Sequence, residues 1–389
     1  MPLSEVTIFP TTKCNLGCKH CGIDRNVKNE TMDDGLLERL LNDLCDTDAG
    51  IVITGGEPLQ ERYAYRLIDC LCNSGIGKEN YVVIGTNASW AGCYDDAKQM
   101  IGQLEDANVS GLGIGTDVFH REFVPLESVA NAINACLDSS IDVSVHVSSF
   151  NSTVKEDTKA IYRLAELVGK EVATIKYNPF DNSTILELME PPKRYKIPFL
   201  GKLFNRDKTD LKYNRGVDYV LGEPGQNSFL AGSPLDSESI RIHHKHGVFE
   251  GNAKRNLKEK DLLLKRRRIA PTKEFLYQLP DGSVCENEGV VVVMPDGSLL
   301  PCCNFPMINS YKEINLGKYP ETDLESFEES LGLNSLSCIY SGRWKELYEI
   351  IESNGLGKDT YLYYSMIGKT GIIEPPCEMC TELHKRYFV

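Results

Sequence analysis

The sequence predicts an α/β fold built around a parallel sheet. In the first half of the chain, six strand-like apolar runs alternate with five helical patterns, and this alternation favours parallel strands joined by right-handed crossovers. The predicted strands are Val6–Phe9, Ile51–Thr54, Tyr81–Gly85, Gly111–Gly115, Ile141–Val147 and Thr174–Tyr177. The helical patterns lie near residues 33–45, 60–73, 93–107, 125–138 and 153–169. The 389 residues also leave room for a second domain or an attached module.

Two helices carry sequence signals at their starts. Thr31 and Asp34 have the spacing of a capping box just before the first helix. Pro125 fits the first turn of the fourth helix, because proline lacks only an amide that would be unpaired there. The apolar residues of the first helix recur at helical spacing, and they are Leu36, Leu37, Leu40, Leu41 and Leu44.

Composition and charge argue against several classes of protein. Hydrophobic residues make up 41% of the chain and charged residues 25%, so we predict a folded globular protein. A net charge of −14 argues against a general binder of nucleic acid or of anionic membranes. The N-terminus lacks the segments of a signal peptide, and the longest apolar run, Val290–Met294, is too short to span a bilayer. The 14 cysteines are therefore expected to be metal or redox ligands in a cytoplasmic protein.

Three cysteines close together after the first predicted strand are the most informative feature. Cys14, Cys18 and Cys21 occur in the run TTKCNLGCKHC with the spacing C-x3-C-x2-C. A cubane iron–sulfur cluster usually takes four thiolates, so three thiolates in one loop indicate a cluster with one iron left open. The alternative is a structural metal knuckle.

A second motif follows the second predicted strand. Thr54, Gly55, Gly56, Glu57 and Pro58 form a turn in which backbone can approach a ligand closely, because the two glycines carry no side chain. Together with the cysteine triplet after the first strand, this GGEP motif resembles the double signature of the radical S-adenosylmethionine (radical SAM) superfamily.

The resemblance implies a fold and a reaction. The fold would be a partial (β/α)6 TIM-like barrel with its site at the C-terminal ends of the strands, where parallel barrels place their chemistry. Cys14, Cys18 and Cys21 would hold a [4Fe–4S] cluster whose fourth iron binds S-adenosylmethionine (SAM). Reductive cleavage of SAM would give a 5′-deoxyadenosyl radical that abstracts a hydrogen atom from the substrate.

The resemblance also assigns residues to SAM binding. His20 stands before the last cysteine of the triplet, where the family usually has an aromatic residue, and would pack against the adenine. Asn87 aligns with the third-strand motif, Asp117 with the fourth-strand motif near the ribose or carboxylate, and Asn178 ends the sixth strand near the adenine. The residues implied to engage the SAM amino group are Gly55, Gly56, Glu57 and Pro58.

A second set of cysteines lies in the last third of the chain. Eleven residues separate Cys285 from Gly297 and four separate Gly297 from Cys302, and a distal pair follows at Cys377 and Cys380. This pattern resembles the twitch module, a shorter relative of the SPASM extension, and implies one auxiliary [4Fe–4S] cluster. The alternative is a four-cysteine zinc site, because spacing alone does not separate the two. Cys303 is a spare cysteine that could replace Cys302, donate a hydrogen atom or simply pack.

A hairpin is predicted within this module. Residues 290–294 and 298–300 read as two strands around the tight turn Pro295-Asp296-Gly297. Such a hairpin would hold Cys285 and Cys302 side by side.

We expect three segments along the chain: a radical SAM barrel over residues 1–182, a connecting region over 183–280 and an auxiliary-cluster module over 281–389. The middle segment ends in a basic stretch that includes Lys265, Arg266, Arg267 and Arg268. This stretch could be a substrate-facing insertion or a clamp for an acidic peptide, but a solvated helix face is favoured.

The predicted function is that of a radical SAM oxidoreductase or maturase. The favoured substrate is a ribosomally made peptide that undergoes cross-linking or dehydrogenation, and the alternative is a small molecule such as an aminosugar. A flavodoxin- or ferredoxin-type electron donor and a separate peptide-recognition protein are the implied partners. A non-enzymatic metal-binding scaffold is the alternative from another class. A methyltransferase is disfavoured, because that chemistry has no need of the triplet.

Overall fold

Five helices alternate with the first six strands, as the sequence predicts. In this computed structural model the strands are β1 (Glu5–Thr11), β2 (Gly50–Gly55), β3 (Val82–Thr86), β4 (Gly111–Gly115), β5 (Asp142–Ser149) and β6 (Glu171–Tyr177). The helices are α1 (Asp34–Leu44), α2 (Glu61–Ser74), α3 (Tyr94–Asp106), α4 (Leu126–Leu137) and α5 (Val154–Val168). Each helix begins and ends within one residue of its predicted bounds.

The rest of the chain adds eight strands and three helices to the part that the structure describes. The strands are β7 (Thr184–Leu188), β8 (Val217–Gly222), β9 (Ile240–His246), β10 (Lys265–Ile269), β11 (Val290–Val293), β12 (Leu299–Leu300), β13 (Leu362–Ile367) and β14 (Thr370–Ile373). The helices are α6 (Phe305–Asn309), α7 (Leu324–Leu333) and α8 (Trp344–Ser353). The described residues are 3–24, 29–78, 80–150, 152–177, 184–188, 217–222, 240–246, 256–257, 265–269, 273, 277, 290–302, 305–314, 316–333, 343–353, 362–367, 370–373 and 380–381.

The main sheet is parallel through its centre. Its eleven strands lie in the order β12-β11-β1-β2-β3-β4-β5-β9-β8-β6-β7, and every neighbouring pair from β11 to β9 is parallel. The C-terminal ends of β1 to β5 therefore lie along one edge of the sheet, which is where parallel α/β barrels place their active sites. Strands β10, β13 and β14 form a separate antiparallel sheet.

The strand beside β5 differs from the prediction. Residues 174–177 do form a strand within β6, but β9 pairs in parallel with β5, and β6 is reached only through two antiparallel pairings. Ile240 and Ile242 of β9 are fully buried. The sixth parallel strand of the sheet is therefore a strand of the middle segment in which isoleucine alternates with polar residues. Helix α5 thus leads to a strand further along the sheet.

Two local predictions were wrong. The cap of α1 is Asp33, whose side chain accepts from the Gly35 amide, whereas Thr31 forms an isolated bridge with Thr11. An aspartate one residue before the helix reaches its free amides directly, so no capping box is needed. The basic stretch 265–269 is not a helix face but the strand β10, paired with β13.

The predicted C-terminal hairpin is confirmed and extends the main sheet. Strand β11 pairs in parallel with β1 on one side and antiparallel with β12 on the other. Gly297 in the turn has a φ of +87°, a backbone conformation that glycine adopts without a Cβ penalty. The turn of the hairpin therefore lies at the same edge of the sheet as the C-terminal end of β1.

Two apolar cores stabilise this arrangement. The first core lies between the sheet and helices α1 to α5, and alternate residues of β2 and β3 such as Ile53 and Ile84 are fully buried in it. The second core joins β11, α6 and α8 to the end of β1 and includes Phe9 and Trp344. Among the described residues, no helix combines the length and apolar character that crossing a bilayer requires.

Candidate active site

The cysteine triplet lies at the C-terminal end of β1, in a loop outside any helix or strand. Cys14 is exposed, Cys21 is half-buried and Cys18 is buried. Burial, followed by the negative charges of Asp117, Cys21 and Cys14, raises the pKa of Cys18 to about 12. The negative charges of the other two cysteines thus reach the Cys18 sulfur, and a bound cation would favour its thiolate.

The turn after β2 packs directly against the start of this loop. The amides of Gly56 and Glu57 donate to the carbonyls of Thr11 and Lys13 at 2.9 and 2.8 Å. A Cβ at Gly56 would lie 1.9 Å from the Lys13 carbonyl oxygen, and one at Gly55 would lie 2.4 Å from that of Thr11. The close approach that these glycines allow here is therefore to the chain's own backbone, immediately before Cys14.

Glu57 ties the ends of β2 and β3 together from a buried position. Its Oε1 accepts from the Thr86 hydroxyl at 2.7 Å and from the Leu59 amide at 3.0 Å, and its Oε2 accepts from the Asn87 amide at 2.7 Å. Burial raises the pKa of this carboxyl to about 7, although those three hydrogen bonds favour the charged form. Pro58 beside it is buried as well.

Asn87 connects the end of β3 to the triplet. Its Nδ2 donates to Oδ1 of Asn15 at 3.0 Å and lies 3.9 Å from the sulfur of Cys14. Its Oδ1 accepts from the Ser89 amide at 2.9 Å, which fixes the orientation of the side chain. The structure therefore brings Asn87, Glu57 and Cys14 together at the ends of β3, β2 and β1.

Asp117 and two histidines form a buried polar group beside Cys18. Oδ2 of Asp117 lies 3.0 Å from Nε2 of His20 and 2.9 Å from Nδ1 of His120. Its Oδ1 accepts from the amides of Phe119 and His120. Burial opposes ionisation of this carboxyl, but the two imidazoles, His120 foremost, hold its pKa well below its usual range.

His20 belongs to an aromatic cluster with Phe119, His120 and Phe150. The His20 ring stacks on Phe119 with centroids 4.8 Å apart and meets Phe150 edge-on at 6.3 Å. Its Nδ1 is buried without a hydrogen-bond partner. One ligand atom each of Cys18, His20 and His120 lies within 4.8 Å of the others. The predicted packing of His20 against an adenine stays a prediction.

Asp157 and Arg121 complete the polar network and were missed by the sequence analysis. Asp157 is fully buried and accepts from the Val118 amide at 2.7 Å, the Ser149 hydroxyl at 2.8 Å and Nη2 of Arg121 at 3.0 Å. Burial raises its pKa despite these bonds. For Arg121, the sequence signal is an acid, Asp117, four residues before it. Asp157 carries no such signal, because it lies in a helix whose polar residues have an ordinary surface pattern.

The C-terminal cysteines are described only in part. Cys302 and Cys380 are both buried in the second core, and Cys21 of the triplet packs against the same core. Cys285, Cys303 and Cys377 lie outside the described residues, as does Asn178. The predicted ligand sets that involve them stay predictions.

Comparison with known proteins finds a family match in the first half of the chain. The model of the radical SAM superfamily matches residues 8–166. YydG of Bacillus subtilis (strain 168), whose name refers to peptide biosynthesis, is 23% identical over 225 residues, which are 57% of this chain and 67% of YydG.

Solved structures show weaker likeness. A structure of anSMEcpe with bound AdoMet and the Cp18Cys peptide is 14% identical with a TM-score of 0.44, covering 100% of this chain and 97% of that one. BtrN in complex with AdoMet and 2-DOIA is 11% identical with a TM-score of 0.38, covering 92% and 93%. Streptococcus suis SuiB bound to the precursor peptide SuiA is 14% identical with a TM-score of 0.35, covering 89% and 70%. These scores are too low to support a comparison of individual residues.

Proposed function

We propose that the chain, whose residues 8–166 match the model of the radical SAM superfamily, oxidatively modifies a ribosomally made peptide with a [4Fe–4S] cluster and SAM. One observation carries the proposal for the site. The cysteine loop, the Gly55-Gly56 turn and the Asn87 turn meet at the C-terminal ends of β1, β2 and β3. When bound, the cluster and SAM together supply the capacity to remove a hydrogen atom from an unactivated carbon.

The donor set fits an iron–sulfur cluster. Cys14, Cys18 and Cys21 offer three thiols from one loop, and thiolates are the ligands that such clusters take. Cys18 packs with Phe119 and Phe150 in a small apolar cluster, which limits access of water to one side of the loop. Low exposure to solvent is one of the factors that set the potential of an iron–sulfur cluster.

The polar residues of the site orient the groups that would contact SAM. The carboxylate oxygens of Glu57 accept from the Thr86 hydroxyl and from the Leu59 and Asn87 amides, so its role would be to hold the turn after β2 in shape. Asp117 likewise is saturated by two histidines and two amides. We infer that both residues act by positioning their neighbours.

Similarity to YydG supports a peptide as the substrate, since its name refers to peptide biosynthesis and the match covers more than half of this chain. The proposed modification is a cross-link or a dehydrogenation. An auxiliary cluster held by Cys285, Cys302, Cys377 and Cys380 would accept the second electron of such an oxidation. The shared burial of Cys302 and Cys380 in one core is consistent with a single site.

Iron content tests the two metal sites separately. After oxygen-free reconstitution, the variant Cys14→Ala, Cys18→Ala, Cys21→Ala is expected to keep about four irons per chain in an auxiliary [4Fe–4S] cluster and to form no 5′-deoxyadenosine from SAM. Near-zero iron in a folded variant would remove the auxiliary cluster from the proposal. Formation of 5′-deoxyadenosine by the variant would contradict the role of the triplet.

Isotope transfer tests the substrate. A deuterated ribosomal precursor peptide, used as the substrate, is expected to pass deuterium into 5′-deoxyadenosine during turnover. Transfer from a deuterated aminosugar and none from the peptide would replace the peptide proposal by small-molecule oxidation.

A further inference from the structure

Asn309, the last residue of α6, holds the chain where it leaves the cysteine loop. Its Oδ1 accepts from the backbone amide of Asp24 at 2.7 Å, and its Nδ2 donates to the carbonyl of Gly22 at 2.9 Å. One side chain thus pairs with a donor and an acceptor of the same short stretch, as a neighbouring strand would. Gly22 directly follows Cys21 in the sequence.

A second set of contacts holds Glu30, at the far end of the segment that follows the triplet. The hydroxyl of Tyr311 donates to Oε2 of Glu30 at 2.5 Å, and Nζ of Lys312 lies 2.9 Å from the same oxygen. The backbone amide of Glu30 donates to the Thr12 hydroxyl, and its carbonyl accepts from the Thr12 amide, both at 2.9 Å. Residues 309–312 therefore contact both ends of the segment that follows the triplet.

The residues around Asn309 are firmly packed, so they can act as a fixed support. Ile308 and Tyr311 are almost fully buried in the second core, which also holds Cys302 and Cys380. Cys21 packs against this core and also against the small cluster around Cys18. A continuous layer of side chains therefore joins the C-terminal cysteines to the triplet.

The cysteine loop needs such a support. Residues 14–24 belong to no helix or strand, so no regular ladder of backbone hydrogen bonds holds them in one shape. Metal sites require their ligands within a few tenths of an ångström of the preferred distances. Residues that do not touch the metal but orient its ligands commonly change metal affinity by about 10-fold to 100-fold when they are lost.

We propose that Asn309 is a positioning residue for the radical SAM cluster: its amide fixes the Gly22–Asp24 backbone and thereby Cys21, so that retention of the cluster depends on the C-terminal segment. The inference rests on the proposed function, because it takes Cys21 to be a cluster ligand. It also assigns the C-terminal segment a role at the triplet whether or not that segment carries a metal of its own.

Hydrogen exchange on the metal-free full-length chain tests the support itself. Asn309→Ala removes both hydrogen bonds and is expected to speed amide exchange over residues 14–24 by roughly tenfold. Asn309→Asp keeps the acceptor for the Asp24 amide and loses the donor to Gly22, so an intermediate rise is expected. The matched control is Asn131→Ala, which removes a 3.1 Å bond from Nδ2 of Asn131 to the Ala91 carbonyl and no bond to residues 14–24.

The reconstituted protein tests the consequence for the cluster. Asn309→Ala is expected to release iron from the SAM-responsive cluster to a chelator about tenfold faster than wild type and to change the EPR spectrum of that cluster when it is reduced. For Asn309→Asp, the rate of iron release and the EPR spectrum should both lie between those of Asn309→Ala and wild type, while Asn131→Ala should match wild type. Loss of stability alone would lower the thermal midpoint of either variant without changing the EPR line shape.

Two results would overturn the inference. One is exchange over residues 14–24 that is the same in Asn309→Ala as in wild type or Asn131→Ala. The other is a cluster whose release rate and EPR spectrum do not respond to Asn309→Ala. If wild type binds no iron at the triplet, the proposed function fails, and the exchange measurement on the metal-free chain still decides whether Asn309 supports the loop.

Discussion

At the residue scale, two buried carboxylates beside the triplet have opposite electrostatic environments. Glu57 accepts three hydrogen bonds but has no cationic partner at contact distance among them, and burial raises its pKa to about 7. Asp117 has two imidazoles at 2.9 and 3.0 Å, and they keep its pKa well below the usual range in spite of burial. Their contributions to stability should therefore change with pH in opposite directions.

For Glu57, the folded chain binds the proton more tightly than the unfolded chain does. Its contribution to stability is then complete below the unfolded pKa of about 4.3 and is lost as the pH rises through about 7. Comparison with Glu57→Gln, which does not titrate, isolates this effect. Between about pH 5 and about pH 8, the unfolding free energy of wild type should fall by roughly 1–3 kcal/mol relative to the variant in urea titrations.

The control for Glu57 is an exposed carboxylate treated in the same way. Glu122→Gln, which removes a surface ion pair with Lys19, should show no such trend over this pH range. A constant difference between wild type and Glu57→Gln would show that the Glu57 carboxyl keeps its ordinary pKa.

For Asp117, the folded chain favours the charged form. Its contribution is present above the unfolded pKa of about 3.9 and is lost as the pH falls below that value. At neutral pH, Asp117→Asn is expected to lower the unfolding free energy by about 2–3 kcal/mol, because charged hydrogen bonds to both histidines are weakened. Urea titration measures the loss, and an equal loss in the exposed variant Asp138→Asn would contradict it.

At the scale of elements, the turn after β2 depends on the absence of a side chain. A Cβ at Gly56 would lie 1.9 Å from a backbone carbonyl oxygen, which cannot move without displacing Lys13 and the cysteine loop. Gly102 in α3 has nothing within 4 Å of the same position. The two glycines therefore provide a matched pair in which the same substitution should have opposite effects.

Gly56→Ala is expected to destabilise the fold by about 3 kcal/mol through overpacking and to lower iron uptake at the triplet. Gly102→Ala is expected to stabilise it by about 0.5–1 kcal/mol, because alanine favours a helix interior more than glycine does. Thermal melts and iron assays on both variants make the comparison. Equal effects at the two sites would mean that the turn tolerates a Cβ.

The long-range elements show why neighbours in a sheet are harder to predict than the strands themselves. The apolar periodicity of β1 to β6 identifies each as a strand. The sequence of β9 does not indicate that it pairs with β5, and the sequence of β11 does not indicate that it pairs with β1. Pairing depends on which buried faces complement one another across long stretches of chain, and short-range patterns do not carry that information.

At the scale of the whole molecule, the C-terminal segment and the barrel share one sheet and adjoining cores. The chain has two tryptophans, of which Trp90 packs against the first core and Trp344 lies in the second. The two residues therefore report separately on the two parts. Because β11 pairs with β1, we expect the parts to unfold together.

Single-tryptophan variants test this cooperativity. Trp90→Phe and Trp344→Phe should each show one denaturant transition by fluorescence. Adding Val291→Ala should lower the unfolding free energy of each variant by about 2 kcal/mol, because Val291 of β11 is fully buried in the first core. If Val291→Ala shifts only the transition reported by Trp344, the two parts unfold independently.

The sequence by itself determined the alternation of strands and helices, the triplet Cys14–Cys21 and the turn at Gly55, because apolar periodicity and short motifs are local properties. Only the tertiary structure decided that β9 lies beside β5, that Asp117 is shared by two histidines, that Asp157 is buried against Arg121 and that Asn309 holds the backbone after Cys21. Each of these contacts joins residues through folding of the sheet and packing of the cores. Such contacts follow from the complementarity of whole surfaces, and no stretch of neighbouring residues encodes that complementarity alone.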